Sequence, residues 1–384
     1  MTSSRPALAV AEDTRIPLFD LQRQRRRLDG EIRRRMDAVL AHGQFILGPE
    51  VAQLEERLAR FAGVGHAIAV SSGRDALMIA LMAMGVKPGD AVYVPAFTFA
   101  ATAGAVVSIG ATPVFVDVEA ATFNLDPADL DRAIGETLKA GKLTPRAVMP
   151  VDLFGLPADY AAIDAIAARH GMTVLADAAQ SFGGINAGRR VGALAPISAT
   201  SFYPTKPLGC YGDGGAILAE DGDLAEAVRM IRSHGRAGTG DEAMVLGLTG
   251  RLDTLQAAVL HAKLDVFPEE LVRRNEIAAR YTAGLADVVT VPTIPDGYES
   301  AYALYTIRLP ERDRVRETLD AAGIGTGLFY RLALHQHPAF HGYDRRRLDV
   351  SEQLAREVLS LPIHADLTDE EVDRVIAGVR AAVA

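Results

Sequence analysis

Residues 201–217 read SFYPTKPLGCYGDGGAI: one lysine among turn-forming residues, followed by four glycines within seven positions. A lysine on a solvated helix needs no such surroundings. A lysine that must meet a bound aldehyde does, because proline presets the backbone and glycine admits close approach of another segment. The stretch joins two strand patterns, ATSFYP (199–204) and GGAILAE (214–220), so Lys206 is expected on a loop at a strand end.

Working outward, helical and strand patterns alternate from about residue 50. PEVAQLEERLARFAGV (49–64) reads as an amphipathic helix, HAIAV (66–70) as a buried strand and SGRDALMIALMAMG (72–85) as a second helix. AVYVP, TPVFVDV, RAVMPVDLF and TVLADAA follow as strands, with FAATAGAVVSIG and DYAAIDAIAARHG as helices among them. Apolar strands separated by helices point to a mostly parallel sheet covered on both faces, an α/β domain. A helical stretch from about 252 to 286 is expected to break near Pro268. Beyond it the style changes to α+β: YALYTIRL and GTGLFYR read as strands, RDRVRETLDAAGI, SEQLAREVLSL and TDEEVDRVIAGVRAAVA as helices. The expected organisation is a loose tail over 1–15, a large domain over 16–264 and a smaller C-terminal domain over 265–384, in keeping with a length above that of most single cores.

Composition excludes several classes. The formal net charge of −9 argues against a general nucleic-acid binder. The seven arginines between Arg23 and Arg35 read as the solvated face of a helix whose buried stripe is Leu21, Leu28, Ile32, Met36 and Leu40. With Cys210 as the single cysteine, neither an intrachain disulfide nor a cysteine-based zinc site can form, and no metal is expected. The N-terminus has no apolar run of signal-peptide length, and no stretch approaches the roughly 20 residues that span a bilayer. A cytoplasmic protein is expected.

Partners for the lysine lie upstream. TVLAD ends in Asp177, followed by AAQSFGG, and polar residues at the carboxyl ends of parallel strands sit where open α/β sheets bind ligands. A strand-end carboxylate with a lysine 29 positions later is what pyridoxal phosphate requires: the acid pairs with the pyridine nitrogen and the lysine bonds the aldehyde. SSGRDAL (71–77) reads as strand end, glycine turn and helix start. Its free N–H groups would cradle a phosphate, with Arg74 adding charge. Ser201 could offer a hydroxyl to the same group. Cys210 reads as a small packing residue.

DAAQSFGG (177–184), TSFYPTKPLGCYGDGGAI (200–217) and GRLDTLQAAVL (250–260) resemble the DegT/DnrJ/EryC1/StrS family of sugar-nucleotide aminotransferases. The resemblance runs from IPLFDLQRQ (16–24) to LSLPIHADLTDEEV (359–372), nearly the whole chain. It implies the aspartate-aminotransferase-like fold (fold type I), a homodimer with shared active sites, and pyridoxal 5′-phosphate. Residue by residue, it implies that Lys206 bonds the cofactor, Asp177 meets the pyridine nitrogen and Gln180 reaches the phenolic oxygen. It further implies that Phe99 stacks on the ring, and that Gly73, Arg74 and Ser201 hold the phosphate. The chain departs from the family where Asn-Ser-Arg often precedes LDTLQ: Thr249, Gly250 and Arg251 stand there, so Thr249 falls at the place of a phosphate ligand while the arginine is kept. A second departure is YRLALH, with Tyr330, Arg331 and His335, where Tyr-Pro before Pro-Leu-His is common. Arg251, Tyr330 and His335 are the expected substrate-side residues.

The implied reaction moves an amino group from L-glutamate to a keto-sugar nucleotide. The lysine stretch is most similar to relatives acting at C3 of a UDP-linked 3-keto-2-acetamido hexose or hexuronate, with dTDP-3-keto-6-deoxyhexose enzymes nearly as similar and a 4-keto sugar acceptor the remaining alternative. The dehydratase branch carries histidine in place of the lysine, and Lys206 speaks against it. A non-catalytic homologue is opposed by the intact Lys206, Asp177 and Gln180 set. A Rossmann dehydrogenase is opposed by the lack of G-x-G-x-x-G after an early strand.

Overall fold

The structure is a computed structural model that describes residues 15–238, 240–343 and 346–384. The tail expected over residues 1–15 lies, apart from Arg15, outside the described residues.

Strand β1 (His66–Val70) shows how the sequence sets the layers. Successive side chains of a strand point to opposite faces: Ile68 and Val70 enter one apolar cluster, Ala67 and Ala69 another on the opposite face. Both faces are buried, which is why the run is apolar throughout rather than alternating. Helices α1 (Leu21–His42) and α2 (Pro49–Ala62) precede it. After it come α3 (Gly73–Ala83), β2 (Asp90–Pro95), α4 (Ala101–Ser108), β3 (Thr112–Val116), α5 (Pro127–Ala140), β4 (Thr144–Val148), α6 (Tyr160–Arg169) and β5 (Thr173–Asp177). A small hairpin, β6 (Ile185–Asn186) and β7 (Arg189–Arg190), leads to β8 (Ile197–Ser201) and β9 (Gly215–Ala219). The strands form a seven-stranded sheet in the order β1-β9-β8-β5-β4-β2-β3.

Only β9 runs against the others, pairing antiparallel with β8 and β1. The cause is the lysine loop: residues 202–214 return the chain directly, with no crossover helix to make the next strand parallel. The sheet is thus mostly parallel, as expected, with the exception placed by the stretch that carries Lys206.

Helix α7 (Gly222–Arg232) follows, then α8 (Thr254–Leu285), which runs unbroken through Pro268. The expected interruption is absent. An interior proline costs a helix about 3 kcal/mol, but burial on both sides offsets it: Leu264, Phe267 and Leu271 pack in one cluster, Ile277, Tyr281 and Leu285 in another. Residue 265 therefore lies within a helix that crosses from one core to the next.

The second core gathers β11 (Tyr305–Arg308), α9 (Arg312–Ala321), β12 (Val358–Leu361) and α11 (Asp369–Val383), while β10 (Tyr298–Glu299) pairs with β6. The expected helix SEQLAREVLSL stops as α10 (Asp349–Glu357), because its last four residues pair with β11 as a buried strand. GTGLFYR is not a strand: it makes one isolated bridge, Gly327 to Ser360, and then turns. On α1 the buried stripe is Leu28, Ile32 and Val39, whereas Leu40 is 57% exposed; Val39 is seven residues past Ile32 and returns to the same face, and Leu40 overshoots it. Several of the arginines opposite are ion-paired, Arg23 to Glu371 and Arg27 to Glu270 among them. Among the described residues no helix is long and apolar enough to cross a membrane.

Candidate active site

The carboxyl ends of β1, β2, β5 and β8 meet at one cavity of about 460 Å³. Lys206, Asp177, Gln180, Ser201, Gly73, Arg74, Phe99 and Tyr330 all line it. Eight expected site residues thus come together from segments up to 257 positions apart in sequence (330 less 73).

The lysine loop is built by backbone bonds: Lys206 N–H donates to Tyr203 O at 2.9 Å and Cys210 N–H to Phe202 O at 2.8 Å. A Cβ on Gly209 would stand 2.5 Å from Pro204 O, so only glycine lets the loop fold this tightly. Burial lowers the proton affinity of the Lys206 ammonium, and the Asp177 carboxylate opposes that shift. Asp177, closing β5, is buried where Lys206 is only half-buried; burial raises its pKa, while Thr102, the Ala179 N–H and Lys206 pull the other way. Burial similarly pushes the Cys210 thiol up to about 11, which makes it a poor nucleophile.

At the phosphate-like corner, Ser72 caps α3, its hydroxyl accepting from Asp75 N–H at 3.0 Å. The free N–H groups and positive dipole end of that helix face the cavity. A Cβ on Gly73 would come within 2.6 Å of Ser201 Cβ, so the bare glycine is what brings the helix start against the end of β8. Arg74 lines the cavity, but its Nη2 donates to Ser108 Oγ at 2.7 Å. Phe99, also in the lining, is 56% exposed and its ring lies 6.0 Å from that of Tyr330 at a 34° tilt.

The Gln180 amide has a fixed orientation. Its Oε1 accepts from Phe154 N–H at 3.0 Å, which leaves Nε2 as a donor toward Tyr330 Oη at 3.3 Å. Burial raises the Tyr330 phenol above its ordinary pKa, so it stays protonated.

Three expected residues do not line the cavity. Thr249 Oγ1 lies 3.4 Å from His234 Nε2. Arg251 pairs through its backbone with Val70, and its buried Nε has no partner among the described residues. His335 turns its Nε2 to Glu352 Oε1 at 3.1 Å and sets its ring against Phe115.

The sequence reading missed Thr102, Ser72, Thr98, Tyr203, Asp213 and Phe329, which also line the cavity. Thr102 had a usable signal: it stands three residues after Phe99 at the start of a helix, close to one face with it. Asp152 had none. Its buried carboxylate accepts from Ser181 Oγ, Tyr160 Oη and Ala158 N–H, bracing the turn that follows Asp177; burial raises its pKa to about 6.

The chain is similar over most of its length to known proteins. It is 44% identical to the UDP-2-acetamido-2-deoxy-3-oxo-D-glucuronate aminotransferase of Pseudomonas aeruginosa, across 95% of this chain and 99% of that one. It is 40% identical to the dTDP-3-amino-3,4,6-trideoxy-alpha-D-glucose transaminase of Streptomyces venezuelae, across 96% and 97%. Among solved structures, a DegT DnrJ EryC1 StrS aminotransferase from Brucella abortus superposes with a TM-score of 0.94 at 44% identity, covering 96% of this chain and 99% of that one. The NtdA protein of Bacillus subtilis, with the cofactor PMP bound, superposes at 0.87 with 29% identity, covering 97% and 86%. The model of the DegT/DnrJ/EryC1/StrS aminotransferase family matches residues 26–380. With the fold, the cavity and these likenesses in agreement, the chain belongs to the DegT/DnrJ/EryC1/StrS aminotransferase family.

Proposed function

We propose that this aminotransferase holds pyridoxal 5′-phosphate in the cavity around Lys206 and moves an amino group from L-glutamate to a keto-sugar nucleotide, at C3 of a UDP-linked 3-keto-2-acetamido hexose or hexuronate. The observation that carries the reading is the placement of half-buried Lys206 and buried Asp177 in one cavity that a capped helix start also lines.

The residues present fit the cofactor. Ser72, Gly73 and Ser201 form a corner of N–H and hydroxyl donors suited to a phosphate. Phe99 offers a flat, half-open ring, and Gln180 Nε2 is the donor left for a phenolic oxygen. When bound, the cofactor supplies an electron sink for the carbon that loses its proton. Asp177 holds a proton at the pyridine nitrogen, with Thr102 orienting its carboxylate. Lys206, its ammonium weakened by burial, accepts a proton from the substrate carbon and returns it on the other side of the transfer. Buried Val151 and Leu77 add apolar surface to the lining, where water is a poor competitor for that proton.

Arg251, whose buried Nε has no partner among the described residues, is read as the group that meets a carboxylate from glutamate or a uronate acceptor. Thr249 and Arg251 lie outside the cavity wall of their own chain, which supports a homodimer in which each copy completes its partner's pocket. Two exposed apolar segments, Phe45–Leu47 and Met244–Leu246, support the same reading, since large apolar side chains grouped on a surface mark interaction sites. We place the reaction in the cytoplasm, with its nucleotide-linked substrate.

A second acceptor, a dTDP-linked 3-keto-6-deoxyhexose, is favoured by the 40% identity to the Streptomyces venezuelae transaminase. The test is a mass-spectrometric screen of amine-loaded enzyme against a panel of UDP- and dTDP-linked keto sugars. Amination of the UDP-linked 3-keto substrate in preference to the others is expected. A preference for the dTDP-linked sugars supports the second reading, and amination of no member overturns both.

A further inference from the structure

Behind the lysine loop lies a second, much smaller cavity of about 30 Å³. Thr205 and Lys206 line both this chamber and the large cavity, so the loop is the partition between them. The other walls come from the start of α1, from α8 and from the segment after β12.

The chamber is polar, and its hydrogen bonding is incomplete. His364 is buried, and neither ring nitrogen has a partner among the described residues. Arg274, also buried, spends Nη1 on the carbonyls of Tyr302 and Ile363 and leaves Nε without a partner. Glu270 accepts from Gln24 Nε2 at 2.8 Å and from Arg27, and Asp366 accepts from Arg27 Nε at 3.1 Å. Each carboxylate here is thus already engaged, while the imidazole and one guanidinium N–H are not. Buried polar groups are seldom left this way, and a volume of roughly 10–15 Å³ or more with two to four polar partners is enough for a water. Burial holds His364 neutral, its pKa pushed down to about 4. It therefore carries one N–H donor and one lone pair, and a water, donor and acceptor at once and small enough for the chamber, answers both.

We propose that the chamber is a seat for ordered water, and that His364 is a positioning residue which, through that water, fixes the loop carrying Lys206. The water joins four segments distant in sequence: the α1 start at Asp20 and Gln24, the lysine loop, α8 at Glu270 and Arg274, and the segment of His364 and Asp366. The loop is otherwise held mainly by its own backbone bonds, so the chamber is its tie to the second core. The charged groups facing His364 include Asp20, which caps α1, and Asp366 and Glu270, both paired with Arg27. Arg274 and Arg23 act on it too, each charged as a guanidinium.

The spectroscopic half of the test rests on the cofactor reading above; the diffraction half does not. In a crystal structure of the holoenzyme, water is expected within hydrogen-bond distance of a His364 ring nitrogen, and a dry chamber overturns the proposal. In solution, His364→Phe keeps the ring's bulk and removes its polarity. It is expected to shift the pH midpoint of the visible lysine–cofactor band by about half a unit or more, and to slow the glutamate half-reaction about tenfold at unchanged cofactor affinity. His364→Asn, which can again bond the water, is expected to recover most of both effects. A phenylalanine variant with the parent's midpoint and rate overturns the positioning role, as does an asparagine variant equally impaired. Should the phenylalanine variant not fold, His364→Leu and the wild-type diffraction map decide. Absence of any visible band in the wild type sinks the cofactor reading and leaves the chamber to be judged by diffraction.

Discussion

Thr102 Oγ1 donates a 2.8 Å hydrogen bond to Asp177 Oδ2, both residues buried and both part of the cavity wall. The bond fixes one carboxylate oxygen and leaves the other facing Ala179 N–H and the cavity. Thr102→Val keeps the shape and removes the donor. A hydrogen bond to a charged group contributes about 1.5–3 kcal/mol, so turnover is expected to fall by roughly tenfold or more while the cofactor stays bound. Unchanged turnover would show that Asp177 needs no orienting partner.

Lys206 is the residue expected to carry the cofactor. Purified protein is expected to absorb in the visible, and borohydride reduction followed by peptide mapping to place the label on Lys206. A label on any other lysine sinks the assignment. Lys206→Ala is expected to bind cofactor without completing turnover.

Asp177→Asn removes the charge and keeps the shape. With the pyridine nitrogen no longer held protonated, proton transfer is expected to slow by several orders of magnitude, on the scale of ~4 kcal/mol. Near-normal turnover in single-turnover kinetics would mean that another group meets the nitrogen.

Arg251→Ala is expected to weaken use of the acid substrate by ~2 kcal/mol, as for a desolvated charged hydrogen bond, with the visible spectrum intact. Mixing Arg251→Ala with Lys206→Ala subunits is expected to restore part of the activity, because one pocket of each mixed dimer is complete. Verified subunit exchange with no gain in activity would exclude a pocket shared in this way.

His364 gives a pH dependence with a definite sign. Its folded pKa is lowered, from 6.5 to about 4, chiefly by burial, with Arg274 adding to the shift. The unfolded chain therefore takes up the proton first as the solution is acidified. The stability contributed by neutral His364 is complete above pH 6.5 and is lost as pH falls toward 4, about 3 kcal/mol in all. His364→Asn removes that dependence. Urea unfolding at pH 7.5 and pH 4.5 is expected to move the wild type toward the variant by about 2–3 kcal/mol; a gap that does not change with pH would contradict it.

What could be read in the sequence follows the range of the forces involved. The buried strands and capped helices of the sheet declare themselves within five to fifteen residues, and Lys206, Asp177 and Ser201 each sit where a strand pattern ends. Pro268 misled because local propensity favours a break while two apolar cores, visible only in three dimensions, hold the helix together. VLSL continues a helical pattern into residues that the partner strand β11 claims. His335 stands in a motif but turns to Glu352, 17 residues away, a choice set by packing against Phe115. Thr102, Asp152 and His364 escaped notice for a related reason: each is an ordinary residue whose role comes from a buried neighbour far along the chain.

The contact between Gly73 and Ser201 leaves no room for even a methyl group. Helix start and strand end therefore form a tight seam, and an anion at this corner would meet donors whose spacing the chain has little room to adjust. Selection acting here has hydroxyls to exchange and charges to add at the rim, where Arg74 stands, but no hinge to loosen. The geometry of this corner is settled as the sheet forms, while Phe99, Phe329 and Tyr330 reach the same cavity from other segments.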